Sequence, residues 1–131
     1  MNWKFRIWSL DKLKMFSPTK IEVCLSETTA KIFDGTKHHT LTNNKIVGIE
    51  QFKLMANVGI RDSEGKEIYD QDILETERGK GVVYFQPSIG SYVVNLFGKG
   101  EVMFDEVKSS AKVVGNVFQN PELIKESIEV R

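Results

Sequence analysis

Ile73-Leu74-Glu75-Thr76-Glu77-Arg78-Gly79-Lys80-Gly81-Val82-Val83-Tyr84-Phe85-Gln86-Pro87-Ser88-Ile89-Gly90-Ser91-Tyr92-Val93-Val94-Asn95-Leu96-Phe97-Gly98-Lys99-Gly100-Glu101-Val102-Met103-Phe104 is the stretch on which the fold reading rests. Short apolar and aromatic runs are interrupted at Arg78-Gly79-Lys80-Gly81, at Pro87-Ser88-Ile89-Gly90 and at Gly98-Lys99-Gly100. β-Branched and aromatic side chains suit a pleated, half-buried surface, whereas Gly and Pro supply the backbone angles of tight turns. The spacing predicts strands over residues 73–77, 82–86, 91–97 and 101–104, with a further one over 112–118. Asn120-Pro121 then reads as the N-cap and first residue of a short C-terminal helix. Short strands joined by tight turns within about 60 residues predict a small closed or partly closed barrel.

Working outward towards the N-terminus, alternation of period two continues and helical periodicity is scarce. Trp3, Phe5 and Ile7 alternate with Lys4, Arg6 and Trp8, which predicts an opening strand with one buried face. Ile21, Val23 and Leu25 alternate with Glu22, Cys24 and Ser26 as a second strand. Residues 30–33 lead into Asp34-Gly35, a pair suited to the positive φ angles of a type I′ hairpin turn. Residues 46–57 carry two conflicting patterns. Ile46, Ile49 and Phe52 fall near helical spacing, while Phe52, Leu54 and Ala56 alternate as in a strand. The reading adopted is an irregular entry followed by a strand over 52–57.

Composition bounds the function classes. The 131 residues are 40% hydrophobic and 27% charged, the profile of a globular domain able to bury a core without disulfide or metal. Lys and Arg number 18 and Asp and Glu number 18, so the basic excess of a dedicated nucleic-acid binder is missing. Cys24 is the only cysteine, which excludes an intrachain disulfide and a Cys-rich zinc site. Charges in Met1-Asn2-Trp3-Lys4-Phe5-Arg6 do not suit a signal peptide, and no apolar run approaches the roughly 20 residues of a bilayer span. A cytoplasmic protein with no membrane partner is expected.

Residues 54–74, from Leu54-Met55-Ala56-Asn57-Val58-Gly59 through Asp62-Ser63-Glu64-Gly65-Lys66-Glu67-Ile68-Tyr69 to Asp70-Gln71-Asp72-Ile73-Leu74, resemble the hallmark L-M-Q-x-T-G-L-x-D-x-x-G-x-E-I-Y-E-G-D-I-V of YopX-like phage and prophage proteins. Lys4-Phe5-Arg6-Ile7-Trp8 with Lys14-Met15 is similar to that family's K-F-R-x-W…K-M opening, and Val113-Val114-Gly115-Asn116-Val117-Phe118-Gln119-Asn120-Pro121-Glu122-Leu123 to its V-I-G-N-I-Y-E-N-P-E-L close. Two positions depart from the pattern. Val58 stands where Thr is usual, and Gln71 replaces a Gly between acidic residues. If that Gly serves a left-handed position, either Gln71 is strained there or the turn differs. The resemblance implies a prophage setting and an SH3-like barrel in the C-terminal half. It implies no reaction and no catalytic residues.

The expected architecture is therefore mainly β. An N-terminal antiparallel β segment, residues 1–58, packs on an SH3-like small barrel, residues 59–131, with a short C-terminal helix. Of the chemical constellations, His38-His39 would point to opposite faces of a strand and so would not share a metal. In Asp62, Glu64, Glu67, Asp70 and Asp72, counting from Asp62 puts Lys66 and Glu67 where a calcium loop needs an oxygen ligand and Gly. Asp62 and Asp72 are expected instead to accept backbone N–H bonds at two successive turns, with Ile68 and Tyr69 in the core. Residues 116–121 read as a structural terminator. No convergent catalytic set, cofactor motif or metal site is expected, so an enzyme is disfavoured. The candidate interaction surface comprises the turn cations Arg78, Lys80 and Lys99 with the strand aromatics Tyr84 and Tyr92. Its expected partner is an unidentified host or phage protein, with weak nucleic-acid binding by the loop cations as the alternative.

Overall fold

The protein is mainly β. The computed structural model describes residues 5–16, 21–23, 29–33, 37–44 and 46–124. Trp3, Cys24 and the Asp34-Gly35 turn lie outside them. The chain divides into two units, Met1–Ala56 and Asn57–Arg131.

In the first unit, β1 (Phe5–Ser9) pairs antiparallel with β2 (Lys14–Phe16), Ile7 facing Phe16. The meander β3 (Ile21–Val23), β4 (Thr29–Phe33), β5 (His38–Asn44) and β6 (Ile49–Glu50) forms a separate sheet. Strands β4 and β5 do form a hairpin, but Phe33 pairs with His38, where a two-residue turn at Asp34-Gly35 would have paired it with Thr36. The start of β7 (Phe52–Arg61) returns along β1, with Ile7 opposite Leu54. Ile7, Phe16, Ala30, Ile32, Leu41 and Phe52 make the core.

Two expectations need correction here. β1 is not buried on one face only, because the consecutive residues Ile7, Trp8 and Ser9 are all buried. β2 was not foreseen, since a strand this short carries too little alternation to register. The ambiguous stretch becomes a turn over 46–48, β6 and then β7. Asn43 organises this return: its Oδ1 accepts from the N–H groups of Gln51 and Phe52, and its Nδ2 donates to the Phe52 carbonyl. Strand β7 runs on past residue 57, through Gly59, where φ is +88° and the register with the next strand shifts. Only a residue without Cβ adopts that angle at little cost.

In the second unit, β8 (Glu67–Tyr69) pairs with the end of β7. A five-stranded antiparallel sheet follows, in the order β12 (Gly100–Met103), β11 (Ser91–Leu96), β10 (Gly79–Gln86), β9 (Asp72–Thr76) and β13 (Lys112–Asn116). These are the strands expected from the opening stretch, and a 3-10 turn at Phe104–Glu106 separates β12 from β13. That order is compatible with an SH3-like barrel. Ile68, Leu74, Val83, Val94, Leu96, Phe104, Val107, Ala111 and Val113 fill the core.

The start of β10 was misplaced. Residues 79–81 are strand, and the turn is only Glu77-Arg78. Gly81 is there for packing, since a Cβ on it would stand 2.5 Å from the Asn95 carbonyl oxygen and 2.8 Å from Val94 Cγ1. Phe104 opens the 3-10 turn and is buried. β13 ends at Asn116, whose Oδ1 accepts from the N–H groups of Phe118 and Gln119. Asn120 Oδ1 accepts from the Asn116 N–H, and helix covers residues 121–124. The terminator and the start of the short helix are thus tied to β13. Among the described residues, no helix is long and apolar enough to cross a membrane.

Candidate functional site

The acidic segment is held by a set of short side-chain bonds. Asp62 Oδ1 accepts from the N–H groups of Glu64 (2.9 Å) and Lys66 (2.8 Å), and Oδ2 accepts from that of Val113 (2.9 Å). Burial alone would raise this carboxyl, but the three donors and the Lys66 charge outweigh it and hold the group below its ordinary value. Asp72, fully buried, accepts from the Tyr69 N–H at 2.8 Å. Both aspartates fix turns, with Ile68 and Tyr69 buried beside them. Lys112 reaches Glu64 at 3.1 Å. The same segment contains the Asp70-Gln71 turn, where Gln71 has φ +74°. Its N–H donates to the Val83 carbonyl and its own carbonyl accepts from the Val117 N–H.

Asp70 behaves differently. It is half-buried, and burial pushes its carboxyl above the ordinary range despite hydrogen bonds from the Gln71 side chain and the backbone N–H groups of Gln71 and Phe85. Across the β10–β11 ladder Phe85 faces Tyr92, the rings meeting edge-on at 5.4 Å and 69°. Burial, followed by the Asp70 charge, raises the Tyr92 hydroxyl. Phe85 is 45% exposed and Ile89, in the adjoining turn, 53%. Asp70, Phe85 and Ile89 were not singled out as site residues from sequence. Alternation marks Phe85 as core-facing, and only the end of the twisted hairpin leaves it in water.

The cationic turns do lie together. Lys99 Nζ donates to the Arg78 carbonyl at 2.7 Å, joining the β11–β12 turn to the β9–β10 turn. The Arg78 guanidinium lies 3.8 Å from Glu106 Oε1, so an acidic side chain shares this end. Lys80 is half-buried and opposite Glu75. Tyr84 does not join Tyr92. Its cross-strand partner is Val93, so the two tyrosines project from opposite faces of the sheet. On β5 the histidines diverge, His38 exposed and His39 against Phe16 with ring centroids 5.6 Å apart. Among the described residues no group of three His, Cys, Asp or Glu side chains is placed to hold a metal.

Comparison with known proteins follows the same outline. The profile of the YopX protein family matches residues 4–125. Protein EF1440 from Enterococcus faecalis has a similar solved structure, with TM-score 0.64, 16% identity, and coverage of 95% of this chain and 99% of that one. Protein YopX from Bacillus subtilis is similar with TM-score 0.60, 22% identity, and coverage of 95% and 97% respectively. At these identities the likeness concerns the fold. No curated protein sequence matches the chain.

Proposed function

The chain belongs to the YopX protein family, and from that premise we propose that it is a phage- or prophage-derived accessory protein acting in the host cytoplasm as a non-enzymatic protein-interaction module. The observation that carries this reading is the apolar surface at the β10–β11 hairpin, where Phe85 and Ile89 are about half exposed. Covering the half of such a side chain that is still exposed gains about 1 kcal/mol, which a partner protein can supply. The polar residues of the hallmark segment support the same view, since Asp62 and Asp72 are engaged in holding turns.

A tagged pull-down from the lysate of an induced host tests the proposal. A discrete host or phage protein should be retained by the native chain and lost with the double variant Phe85→Ser, Ile89→Ser. Retention of no protein, or retention indifferent to those changes, would refute it. The second reading is weak nucleic-acid binding through Arg78, Lys80 and Lys99, favoured by the contact that joins the Arg78 and Lys99 turns. Salt-sensitive retention on DNA or RNA that Arg78→Ala and Lys99→Ala abolish would support it. The zero net charge and the nearby Glu106 weigh against it.

A further inference from the structure

We propose that Asp70, Phe85 and Tyr92 form a receiving site for an arginine side chain of a protein partner. The proposal rests on the reading of the chain as a protein-interaction module and gives part of that surface its chemistry. The Gln71 N–H is bonded to the Val83 carbonyl, which sets Asp70 beside β10 near the Phe85 backbone, and Phe85 is in ring contact with Tyr92 across the ladder, so a carboxylate and two aromatic rings lie at one end of the hairpin.

A carboxylate accepts at several lone-pair sites, and donors from Gln71 and Phe85 occupy only part of that capacity at Asp70. The contrast with Asp62 is informative. Three backbone donors hold Asp62 below its ordinary value, whereas Asp70 stays above its own because burial outweighs its donors. A cation brought to Asp70 would compensate a charge that the fold leaves under-stabilised. The neighbouring rings select the kind of cation. Phe85 exposes much of its surface and Tyr92 is half-buried against the core. A guanidinium is planar and weakly hydrated, so it can stack on an aromatic ring while its N–H fork engages a carboxylate. A lysine ammonium could make the charge contact but offers no fork. A phosphate would be repelled by Asp70. The cationic turns Arg78 and Lys99 lie towards the opposite end of the same hairpin, near the Gly81–Leu96 pair.

The test is a titration of the 15N-labelled full chain with N-acetyl-arginine amide, read by amide chemical shifts, with the neutral citrulline analogue as control. Concentration-dependent shifts should centre on Asp70, Gln71, Phe85 and Tyr92. Binding should be at least roughly tenfold weaker for the citrulline analogue and for Asp70→Asn, the loss expected for a charge-assisted pair. Phe85→Leu should weaken it as well, and the spectra themselves report whether each variant is folded. Shifts centred elsewhere, equal shifts with citrulline, or binding unchanged in Asp70→Asn would overturn the assignment. If the probe fails while a partner is still captured through Phe85 and Ile89, the interaction reading stands and the arginine site falls. If the probe binds but no partner is captured, the site stands and the wider reading falls.

Discussion

Replacing Gln71 by Gly should stabilise the protein. Gln71 sits at φ +74°, one of two non-glycine residues with positive φ among those described, the other being Leu13. In that region a Cβ crowds the following carbonyl, at a cost of about 1–2 kcal/mol. The angle is imposed from both sides, because the Gln71 N–H is bonded to Val83 at 2.8 Å and its carbonyl to Val117 at 3.1 Å. Relaxation would break these bonds, so the strain persists. Glycine removes the crowding and keeps both bonds, which use only backbone atoms. Against this, a glycine adds about 0.4–1 kcal/mol of unfolded-state entropy. The Gln71 side chain also gives up only a 3.4 Å contact with Asp70. The balance is a gain of about 0.5 kcal/mol, which at an m-value near 1.5 kcal/mol/M raises the urea midpoint by about 0.3 M. Equilibrium urea unfolding of both proteins measures it, with Gln71→Ala as the control that keeps Cβ and should show no such gain. A midpoint that falls with glycine, at equal m, would refute the assignment of strain to this turn.

Gly81→Ala should destabilise by about 1–3 kcal/mol in the same assay, because the new Cβ meets the β11 backbone rather than a movable side-chain tip. Asp62→Asn should cost about 1.5–3 kcal/mol, since an amide can no longer accept from both the 62–66 loop and the Val113 N–H. The pH dependence separates two aspartates. Asp62, lowered in the fold, contributes stability above the unfolded value near about 3.9 that is lost as pH falls through its folded value. Asp70, raised in the fold, favours folding most below the unfolded value, an advantage lost as pH rises through its folded value. Asp70→Asn should therefore gain on the native protein at neutral pH and lose that margin as pH falls towards about 4, measured by melting temperature across pH; a margin independent of pH would contradict this.

How much was legible from sequence depended on whether a residue's role was local. Asx chemistry at Asp62 and Asp72 is written in a few consecutive positions, and the structure shows it there, while the bond from Val113 to Asp62 is long-range. The strands between residues 73 and 104 were also legible, because Gly and Pro punctuate them. Gly81 shows the limit. It looks like a turn residue in sequence, but its reason for being Gly is Asn95 on another strand. The placement of the candidate surface residues was no more legible. Arg78 and Lys99 belong to separate turns that the fold joins, while Tyr84 and Tyr92 look alike in sequence and fall on opposite faces. Parity across a hairpin depends on register, which residue types along one strand do not specify.

The strained turn and the proposed arginine site meet at one peptide unit. Asp70 precedes Gln71, and the bonds from Gln71 to Val83 and Val117 fix the backbone that delivers the carboxylate to Phe85. A side chain whose backbone is held by β10 and by the turn after β13 loses little freedom when a ligand arrives, so strain carried at Gln71 is compatible with preorganisation at Asp70. The hallmark pattern has Glu where this chain has Asp70 and Gly where it has Gln71. Gln71 adds a side-chain donor to Asp70 that Gly lacks. Gln71→Gly should then leave arginine binding within about threefold of native, because the backbone bonds that place Asp70 survive the change. A loss as large as that of Asp70→Asn would mean that the Gln71 side chain, not the turn, positions the acid.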